Sequence, residues 1–334
     1  CAWRGVLEAR FSGKLPVWTL ARETNATGLV DASLAERYRA AQHDRASHRD
    51  YAKGTLAMAI AQEEKAKRFE ALHARAGSFV IPNPWDAGSA RILQSLGFEA
   101  LATTSGGLAF ALGRSDGFRA VSREEALDNA RSIVNATDLP VSADLENGYG
   151  DAPEKAAETI RLAAETGLVG GSIEDATGDS AKPIYDFALA VERIAAAVAA
   201  VRALPFPFML VARAENYLHD RPDLDDTIRR LQAFEAAGAN VLYAPGLGRA
   251  EDIRAVCSAV KKPVNVLAGG GQKPMSVAEI AALGARRISV GSALSRAAFG
   301  GFARAAKEIR EKGTFGFASE ATPYEELNSF FAKC

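Results

Sequence analysis

The alternation of apolar and polar positions becomes regular at Phe79 and stays regular for most of the remaining chain. Short apolar or β-branched runs recur about every 30 residues, with Ala-rich amphipathic segments between them. We interpret each run as a β-strand and each amphipathic segment as a helix. The runs are FVIP (79–82), EALATTS (99–105), LPVSADLE (139–146), VGGSIED (169–175), FMLVARAE (208–215), ANVLYAP (239–245), KPVNVLA (262–268) and RRISVG (286–291).

Capping signals support several of the predicted helices. Ser122 and Glu125 have the spacing of a capping box, and Pro153 suits a first helical turn. Gly238 and Gly284 stand where a left-handed residue would end a helix. Eight strands, each followed by a helix, predict an α/β fold of the (β/α)8 TIM-barrel type. A doubly wound open sheet is the alternative, but it rarely needs eight equal units, and no G-x-G-x-x-G follows the first strand.

Three segments are predicted along the chain. Residues 1–75 are polar and lack a sustained period, which indicates a weakly structured or helical extension; His43 and His48 there fit a solvated face better than a metal site. Residues 76–313 form the predicted barrel. Residues 314–334 are expected to pack on the barrel or on a partner subunit.

Composition excludes several classes of protein. The 334 residues carry a net charge of -1 and no long basic block, so neither nucleic acid nor a membrane surface is an expected partner. No apolar run reaches the roughly 20 residues of a membrane helix, and the N-terminus does not resemble a signal peptide. Three cysteines are too few for a disulfide framework, which favours a reducing compartment and a cytoplasmic location.

Acidic side chains follow three neighbouring predicted strands, at the end of the barrel where catalytic residues are found. Alternation along a strand places Asp144 and Glu146 on the same face, where two carboxylates repel each other unless a cation or a proton holds them. The other charged residues at these ends are Asp116, Glu174, Asp175, Arg213 and Glu215. A polar barrel rim would also place acids here, but acids after three consecutive strands favour a binding site.

Carboxylates without nearby His or Cys suit a hard cation, Mg²⁺ or Mn²⁺, which keeps waters and accepts substrate oxygens. Such a cation polarises a carbonyl group, and Arg213 could hold a carboxylate with two parallel hydrogen bonds. The TSGG segment (Thr104, Ser105, Gly106 and Gly107) offers hydroxyl and N–H groups to the same anion. No lysine ends a strand, which disfavours a Schiff-base aldolase. The stretch GGGQKP (269–274) fits a phosphate loop or a flexible turn equally well.

Several motifs, taken in order, resemble the isocitrate lyase and phosphoenolpyruvate mutase superfamily from about Phe79 to Gly313. They are PNPWDAGSARIL, TTSGGLAFALGRSDG, ADLENGYGD, GGSIEDA, LVARAE and NVLAGGG with SVAEIAALGARRISVG. The resemblance implies a barrel enzyme that uses Mg²⁺ and forms an enolpyruvate oxyanion as a C–C or P–C bond breaks. It also implies a homodimer or homotetramer, often with a helix swapped between subunits.

The same resemblance assigns roles residue by residue. Asp144, Glu146 and Glu174 fall on the metal-site acids, the last two as direct or water-mediated ligands. Asp116 matches the acid of the loop after the second strand, and Arg213 matches the substrate-gripping arginine. The segment Thr104–Gly107 falls near the residues that hold a 2-oxo-acid carboxylate. Tyr149 and Asp116 are candidates for positioning or proton transfer.

One departure from the superfamily limits the choice of reaction. Members that cleave isocitrate or methylisocitrate carry a Lys-(Lys/Arg)-Cys-Gly-His loop after the fourth strand, whereas this chain reads EDATGDSAKPIYDF there. The predicted function is therefore a Mg²⁺-dependent lyase that cleaves a C–C bond of a small 2-oxo or 2-hydroxy carboxylate, as an oxaloacetate decarboxylase-like or methylisocitrate lyase-like enzyme. Phosphonopyruvate hydrolase or phosphoenolpyruvate mutase chemistry is one alternative, and a non-catalytic metabolite-binding barrel is another.

Overall fold

The computed structural model describes residues 61–269 and 274–332. Residue contacts divide the chain into two units, 1–59 and 60–334, and all the described residues belong to the second. Most of the predicted extension, including His43 and His48, lies outside the described residues, as do positions 270–273 of GGGQKP. The described part of the extension is helix α1 (Gln62–Ala74). The three-segment division of the chain stays a prediction.

Eight parallel strands form the centre of the described unit, in the spatial order β1-β8-β7-β6-β5-β4-β3-β2. The seam between the two end strands is bridged by a 3.1 Å hydrogen bond from the Ala102 N–H to the Pro82 carbonyl. The predicted (β/α)8 fold is confirmed. The strands are β1 (Phe79–Ile81), β2 (Leu101–Ala102), β3 (Val141–Asp144), β4 (Gly170–Glu174), β5 (Met209–Arg213), β6 (Val241–Tyr243), β7 (Val264–Leu267) and β8 (Arg287–Ser289).

Helices separate the strands, and the predicted capping signals are confirmed. The Ser122 and Glu125 side chains each accept from the other residue's backbone N–H, Pro153 is the first residue of its helix, and Gly238 has a φ of 109°. The helices are α2 (Ala87–Ser95), α3 (Ser105–Ala111), α4 (Arg123–Asn135), α5 (Pro153–Ala164), α6 (Phe187–Arg202), α7 (Leu224–Ala237), α8 (Ala250–Ala259), α9 (Val277–Ala282), α10 (Ala293–Lys312) and α11 (Tyr324–Ala332), with 3-10 turns at Asn216–His219 and Gly316–Ser319.

Helix α1 closes the amino-terminal end of the barrel. Its Phe69 is fully buried and packs in one apolar cluster with Phe79, Met209 and Val241, the first residues of three strands. A Cβ on Gly170, the first residue of β4, would lie 2.9 Å from the Phe69 ring, so the glycine lets this ring fit beneath the strands. The barrel therefore opens at its carboxyl end, where the candidate residues lie.

The strands are shorter than the apolar runs that predicted them, and β3 shows the consequence. It ends at Asp144, and Glu146 adopts a left-handed conformation with a φ of 48°. Our expectation that strand alternation places Asp144 and Glu146 on one face is therefore wrong, because Glu146 is no longer in the strand. The two carboxylates are brought close together by a turn.

No helix of the described residues is long and apolar enough to cross a membrane.

Helix α11 lies beside α2, with the Phe331 ring 4.0 Å from the position that a Cβ on Gly88 would take.

Candidate active site

Arg213 is the centre of the charged cluster at the carboxyl end of the barrel. Asp144, Glu174 and Arg213 are the last residues of β3, β4 and β5. The Arg213 Nη1 atom lies 2.9 Å from Asp144 Oδ1 and 3.0 Å from Glu174 Oε2, and Nε lies 2.9 Å from Glu215 Oε1. One guanidinium is thus shared among three carboxylates, which leaves excess negative charge in a partly buried place.

Asp144 is held from two further directions. The Ser105 hydroxyl donates to its Oδ2 at 2.9 Å, and its own backbone N–H donates to the Thr103 hydroxyl at 3.0 Å. Ser105 begins α3 and Thr103 follows β2, so strands β2, β3 and β5 together fix this carboxylate. Each contact relies on a neighbouring barrel strand, and none is visible in the sequence spacing.

Three acids at this end of the barrel, Glu146, Glu174 and Asp116, have raised pKa values and resist ionisation. Burial, with added repulsion from Asp144 and Asp116, raises the pKa of Glu146 to about 8. Burial also raises the pKa of Glu174 well above its usual value, against the opposing effect of Arg213. Asp116, in the exposed loop after α3, has a pKa raised by partial desolvation and by Asp144. The cluster carries more carboxylates than its single arginine can neutralise, so a bound cation would relieve the repulsion.

Because of this excess of carboxylates, we expect the free energy of unfolding of the metal-free protein to depend on pH. Glu146 has a folded-state pKa of about 8, above its value near 4.5 in the unfolded chain, so its protonated form favours folding below pH 4.5. That contribution is lost as the pH rises toward 8. We expect the free energy of unfolding, measured by denaturant titration in chelator, to fall between pH 5 and pH 8.

The matched variant Glu146→Gln keeps the size and shape of the side chain but cannot ionise. Its unfolding free energy should fall less steeply over the same pH range than that of the wild type. Equal slopes for the two proteins would mean that Glu146 is already ionised in the folded state and that our assignment of its environment is incorrect.

The donor set fits a hard cation, although no direct three-ligand cage is pre-formed. Within residues 61–269 and 274–332, no three His, Cys, Asp or Glu side chains are arranged so that they could hold a metal ion together. Mg²⁺ commonly uses one or two carboxylates and retains several waters. Asp144 as a direct ligand, with Glu146 and Glu174 acting through water, therefore fits both this geometry and the raised pKa values.

The segment predicted to hold a substrate carboxylate divides into two parts. Ser105 and Gly106 line the cavity beside Asp144 and Asp116. Thr104 also lines the cavity, but its hydroxyl accepts from the Gly107 N–H at 3.2 Å and so caps α3. A Cβ on Gly107 would lie 2.5 Å from the Thr104 methyl group and 3.1 Å from Trp85, so this glycine serves close packing behind the cavity wall.

Tyr149 lies in the loop after β3, next to the acids. Its hydroxyl is buried and has no hydrogen-bond partner among the described residues, and burial raises the phenol pKa well above 10. A small second cavity is lined by Tyr149, Glu146, Asp144 and Ser105, among others. The phenol therefore remains protonated beside the acid cluster, as a proton or hydrogen-bond donor requires.

A buried arginine from α6 holds this loop in place. The Arg193 guanidinium, 1% exposed, donates to the backbone carbonyls of Asn147, Gly150 and Asp151 and stacks on the Tyr185 ring at 4.4 Å. The Tyr185 hydroxyl in turn donates to Asp151 at 2.8 Å. Nothing in the local sequence distinguishes Arg193, because it lies in an ordinary amphipathic helix pattern.

Gly148 is required by the same loop, which gives a testable stability difference. It has a φ of 80°, and a Cβ there would lie 2.9 Å from the Ala156 Cα, a backbone atom that cannot rotate away. We expect Gly148→Ala to lower the free energy of unfolding by about 2–4 kcal/mol through strain and overpacking. Gly113 is the matched control, since it has a φ of 71° with nothing within 4 Å. Gly113→Ala should lower the free energy of unfolding by only about 1 kcal/mol. Equal losses in the two variants would mean that the close approach of Gly148 to Ala156 does not contribute.

The cavity at this end of the barrel has a volume of about 210 Å³ and extends down between the strands. Its walls include polar residues that the sequence analysis did not single out: Asn83, Ser172, Tyr243, Asn265, Arg287 and Ser289. The sequence does carry a signal for these cavity-lining positions, since polar residues interrupt the short apolar strand runs VLY, VNVL and RIS. The pattern of these runs by itself predicts only strands.

Comparison with known proteins agrees with the barrel fold. The family model described as phosphoenolpyruvate phosphomutase matches residues 69–310. A solved structure from Burkholderia cenocepacia J2315, described as a lyase/mutase, is 59% identical, covers 81% of this chain and 96% of its own, and has a TM-score of 0.79. Oxaloacetate acetylhydrolase, solved with its product oxalate, is 28% identical with a TM-score of 0.72 over 80% of this chain and 93% of its own.

Curated relatives include the oxaloacetate decarboxylase of Paraburkholderia xenovorans, which is 31% identical over 216 residues, or 63% of this chain and 69% of the relative. The matched homologues of assigned function are enzymes, including lyases, so the prediction of an enzyme is confirmed at this level. The chain belongs to the phosphoenolpyruvate phosphomutase family, within the isocitrate lyase/phosphoenolpyruvate mutase superfamily.

Proposed function

We propose that this enzyme is a Mg²⁺-dependent lyase that cleaves a C–C bond of a small 2-oxo or 2-hydroxy carboxylate. The observation that carries the proposal is the cluster in which Arg213 contacts Asp144 and Glu174, with Glu146 close enough to feel their charges, beside a cavity of about 210 Å³. This volume suits a substrate of only a few carbon atoms. The oxaloacetate decarboxylase relative supports a substrate of this class.

The chain's own residues would bind and orient the substrate. In this proposal Ser105 and Gly106 hold the carboxylate next to the 2-oxo group, and Arg213 binds the developing negative charge while it keeps Asp144 and Glu174 in position. A divalent cation (Mg²⁺ or Mn²⁺) held by Asp144, and through water by Glu146 and Glu174, supplies Lewis-acid polarisation of the carbonyl. With a 2-oxo substrate that loses CO₂, the electron pair of the broken C–C bond would pass to the enolate of the pyruvyl product. With a 2-hydroxy substrate, the hydroxyl proton would pass to an ionised carboxylate of the site, the hydroxyl carbon would become the carbonyl of the pyruvyl product, and the electron pair would pass to the enolate of the other carboxylate product.

A proton must finally reach the enolate carbon, and the superfamily's loop cysteine is absent. The loop after β4 contains neither Cys nor His, and it folds back on itself through an antiparallel bridge between Ala176 and Ile184. Tyr149 is protonated, buried and next to the acids, and Asp116 lies on the exposed side of the cavity. We propose these two residues as the candidates for proton transfer or positioning.

The test is a product assay with four substrates: oxaloacetate, 2-methylisocitrate, 2,3-dimethylmalate and phosphonopyruvate. Each is followed by NMR with Mg²⁺ and with chelator, against a protein-free Mg²⁺ blank. We expect chelator-sensitive cleavage of a carboxylic substrate above the blank. No cleavage of any of the three carboxylic substrates would contradict the proposal.

Cleavage of a P–C bond is the second candidate, favoured by the family model that matches residues 69–310. It would use the same acids and Arg213. Turnover of phosphonopyruvate faster than that of every carboxylic substrate would assign the protein to this reaction. A non-catalytic barrel would show no turnover and no binding synergy between Mg²⁺ and oxalate by calorimetry.

We further propose that the enzyme is a cytoplasmic homodimer or homotetramer. Several large apolar side chains on and around α10 and α11 are exposed, among them Phe302 at 73% and Tyr324 at 81%. Exposed aromatic residues on neighbouring elements are typical of a surface that a second subunit covers. Sedimentation velocity would measure the assembly, and a monomer at micromolar concentration would contradict this part of the proposal.

A further inference from the structure

Arg287 is a buried cation that the proposed reaction does not use. It is the first residue of β8, is 5% exposed, and lines the lower part of the cavity. Its Nε and Nη1 atoms are buried and have no hydrogen-bond partner among the described residues. Burial lowers the pKa of Arg287 only to about 10, so the side chain keeps its charge at neutral pH.

The groups around Arg287 do not neutralise this charge. No carboxylate of the described residues is paired with it; its neighbours are Tyr243 in the cavity wall and the Phe69 ring, whose centroid lies 5.9 Å from Cζ. The nearby His73 has a pKa lowered to about 3 by burial and by Arg287, so it is also uncharged and offers no anion. A buried charge without a partner strongly destabilises a fold unless something else compensates it.

Backbone pairing connects Arg287 to the acid cluster through one row of residues across five strands. Glu174 pairs with Arg213, Arg213 with Tyr243, Tyr243 with Asn265, and Asn265 with Arg287. Because the strands are staggered, this row descends from the last residue of β4 to the first residue of β8. The upper part of the row carries the Glu174 carboxylate and Arg213, whereas the lower part has the cation Arg287 and no acid.

Asn265 offers a second group to a ligand at the floor of the cavity. Its Nδ2 donates to the Ser289 hydroxyl at 2.9 Å, and its Oδ1 is buried without a partner among the described residues. A half-turn of the amide lets the Ser289 hydroxyl donate to the oxygen instead, which leaves the NH₂ group unpaired. An anion would favour that second orientation, because the amide then supplies a donor next to the guanidinium.

We propose that the floor of the cavity, formed by Arg287 and Asn265 above the Phe69 ring, is a binding site for one small monovalent anion. The occupant is either a free halide or a carboxylate group no larger than formate. Its charge compensates Arg287, and an unpartnered guanidinium N–H together with the amide supplies its hydrogen bonds. This site is separate from the metal-site acids and does not depend on the proposed reaction.

The test measures the thermal unfolding of the full chain in chelator with sodium chloride, sodium formate or sodium methanesulfonate at equal ionic strength. Methanesulfonate is the reference, since it is larger than formate. We expect the wild-type midpoint to rise saturably with the small anions, by about 2 °C or more. Arg287→Met should abolish this response and, in methanesulfonate, should be at least as stable as the wild type. The control Arg286→Met removes a neighbouring charge and should keep the response.

The two sources of the anion give different results. A response to chloride and formate identifies a site open to a resident halide, whereas a response to formate alone identifies a carboxylate site; both support the proposal. Equal responses of the wild type and Arg287→Met would overturn it. If Arg287→Met does not fold, wild-type crystals soaked in bromide and in formate decide: an anomalous bromide peak or formate density within hydrogen-bond distance of Arg287 supports the site, and the absence of both excludes it.

Discussion

Replacing Asp144 by Asn is expected to reduce substrate turnover by about 10³-fold, because a neutral amide no longer offers a charged ligand and several kcal/mol of Lewis-acid stabilisation are lost. The same variant should lose Mg²⁺ affinity by calorimetry, a measurement that needs no knowledge of the substrate. The Asp144 carboxylate is held by Arg213 and Ser105, and its backbone N–H donates to Thr103, so its position is well defined.

The control for this experiment is Asp128→Asn. Asp128 is an exposed acid on α4 whose only role in the described structure is an ion pair with Arg131 at 2.6 Å. This variant should keep wild-type turnover and Mg²⁺ affinity. Full activity together with unchanged Mg²⁺ affinity in Asp144→Asn would exclude Asp144 as a metal ligand and would remove the central argument for the proposed lyase.

Replacing Arg193 by Met is expected to lower the free energy of unfolding by about 3–5 kcal/mol, because the hydrogen bonds from its buried charged group to one buried and two partly buried backbone carbonyls are lost together. Those carbonyls, of Asn147, Gly150 and Asp151, then remain without partners beneath the active-site loop. Turnover should also fall, since Glu146 and Tyr149 lie in that loop. Denaturant titration and steady-state kinetics measure the two effects.

Arg202→Met provides the comparison on the same helix. Arg202 is the last residue of α6 and is exposed, so its loss should change the free energy of unfolding by less than about 0.5 kcal/mol. If Arg193→Met is no less stable than Arg202→Met, the loop holds its conformation without the guanidinium. The hydrogen bonds of Arg193 would then contribute little to the free energy of unfolding.

Three arginines of the barrel, Arg213, Arg193 and Arg287, show what kind of information the sequence lacks. Arg213 was identified because it ends a strand beside the acids, and the barrel rule alone places it at the catalytic face. Arg193 and Arg287 were not identified, since one lies in an amphipathic helix and the other begins a strand. Neither position differs in local pattern from a solvated arginine, and only the packing of distant elements buries them.

The sequence by itself determined the barrel, the family and the strand ends at which the acids gather. The spacing of the apolar runs and the capping residues are local features. Each strand–helix unit of the barrel can therefore be recognised from its own residues. The tertiary structure decided that β3 stops at Asp144, that a left-handed turn rather than strand alternation brings Glu146 to Asp144, and that Arg213 is shared among three carboxylates. These features depend on distances between residues far apart in the chain, set only when eight strands close around a common interior.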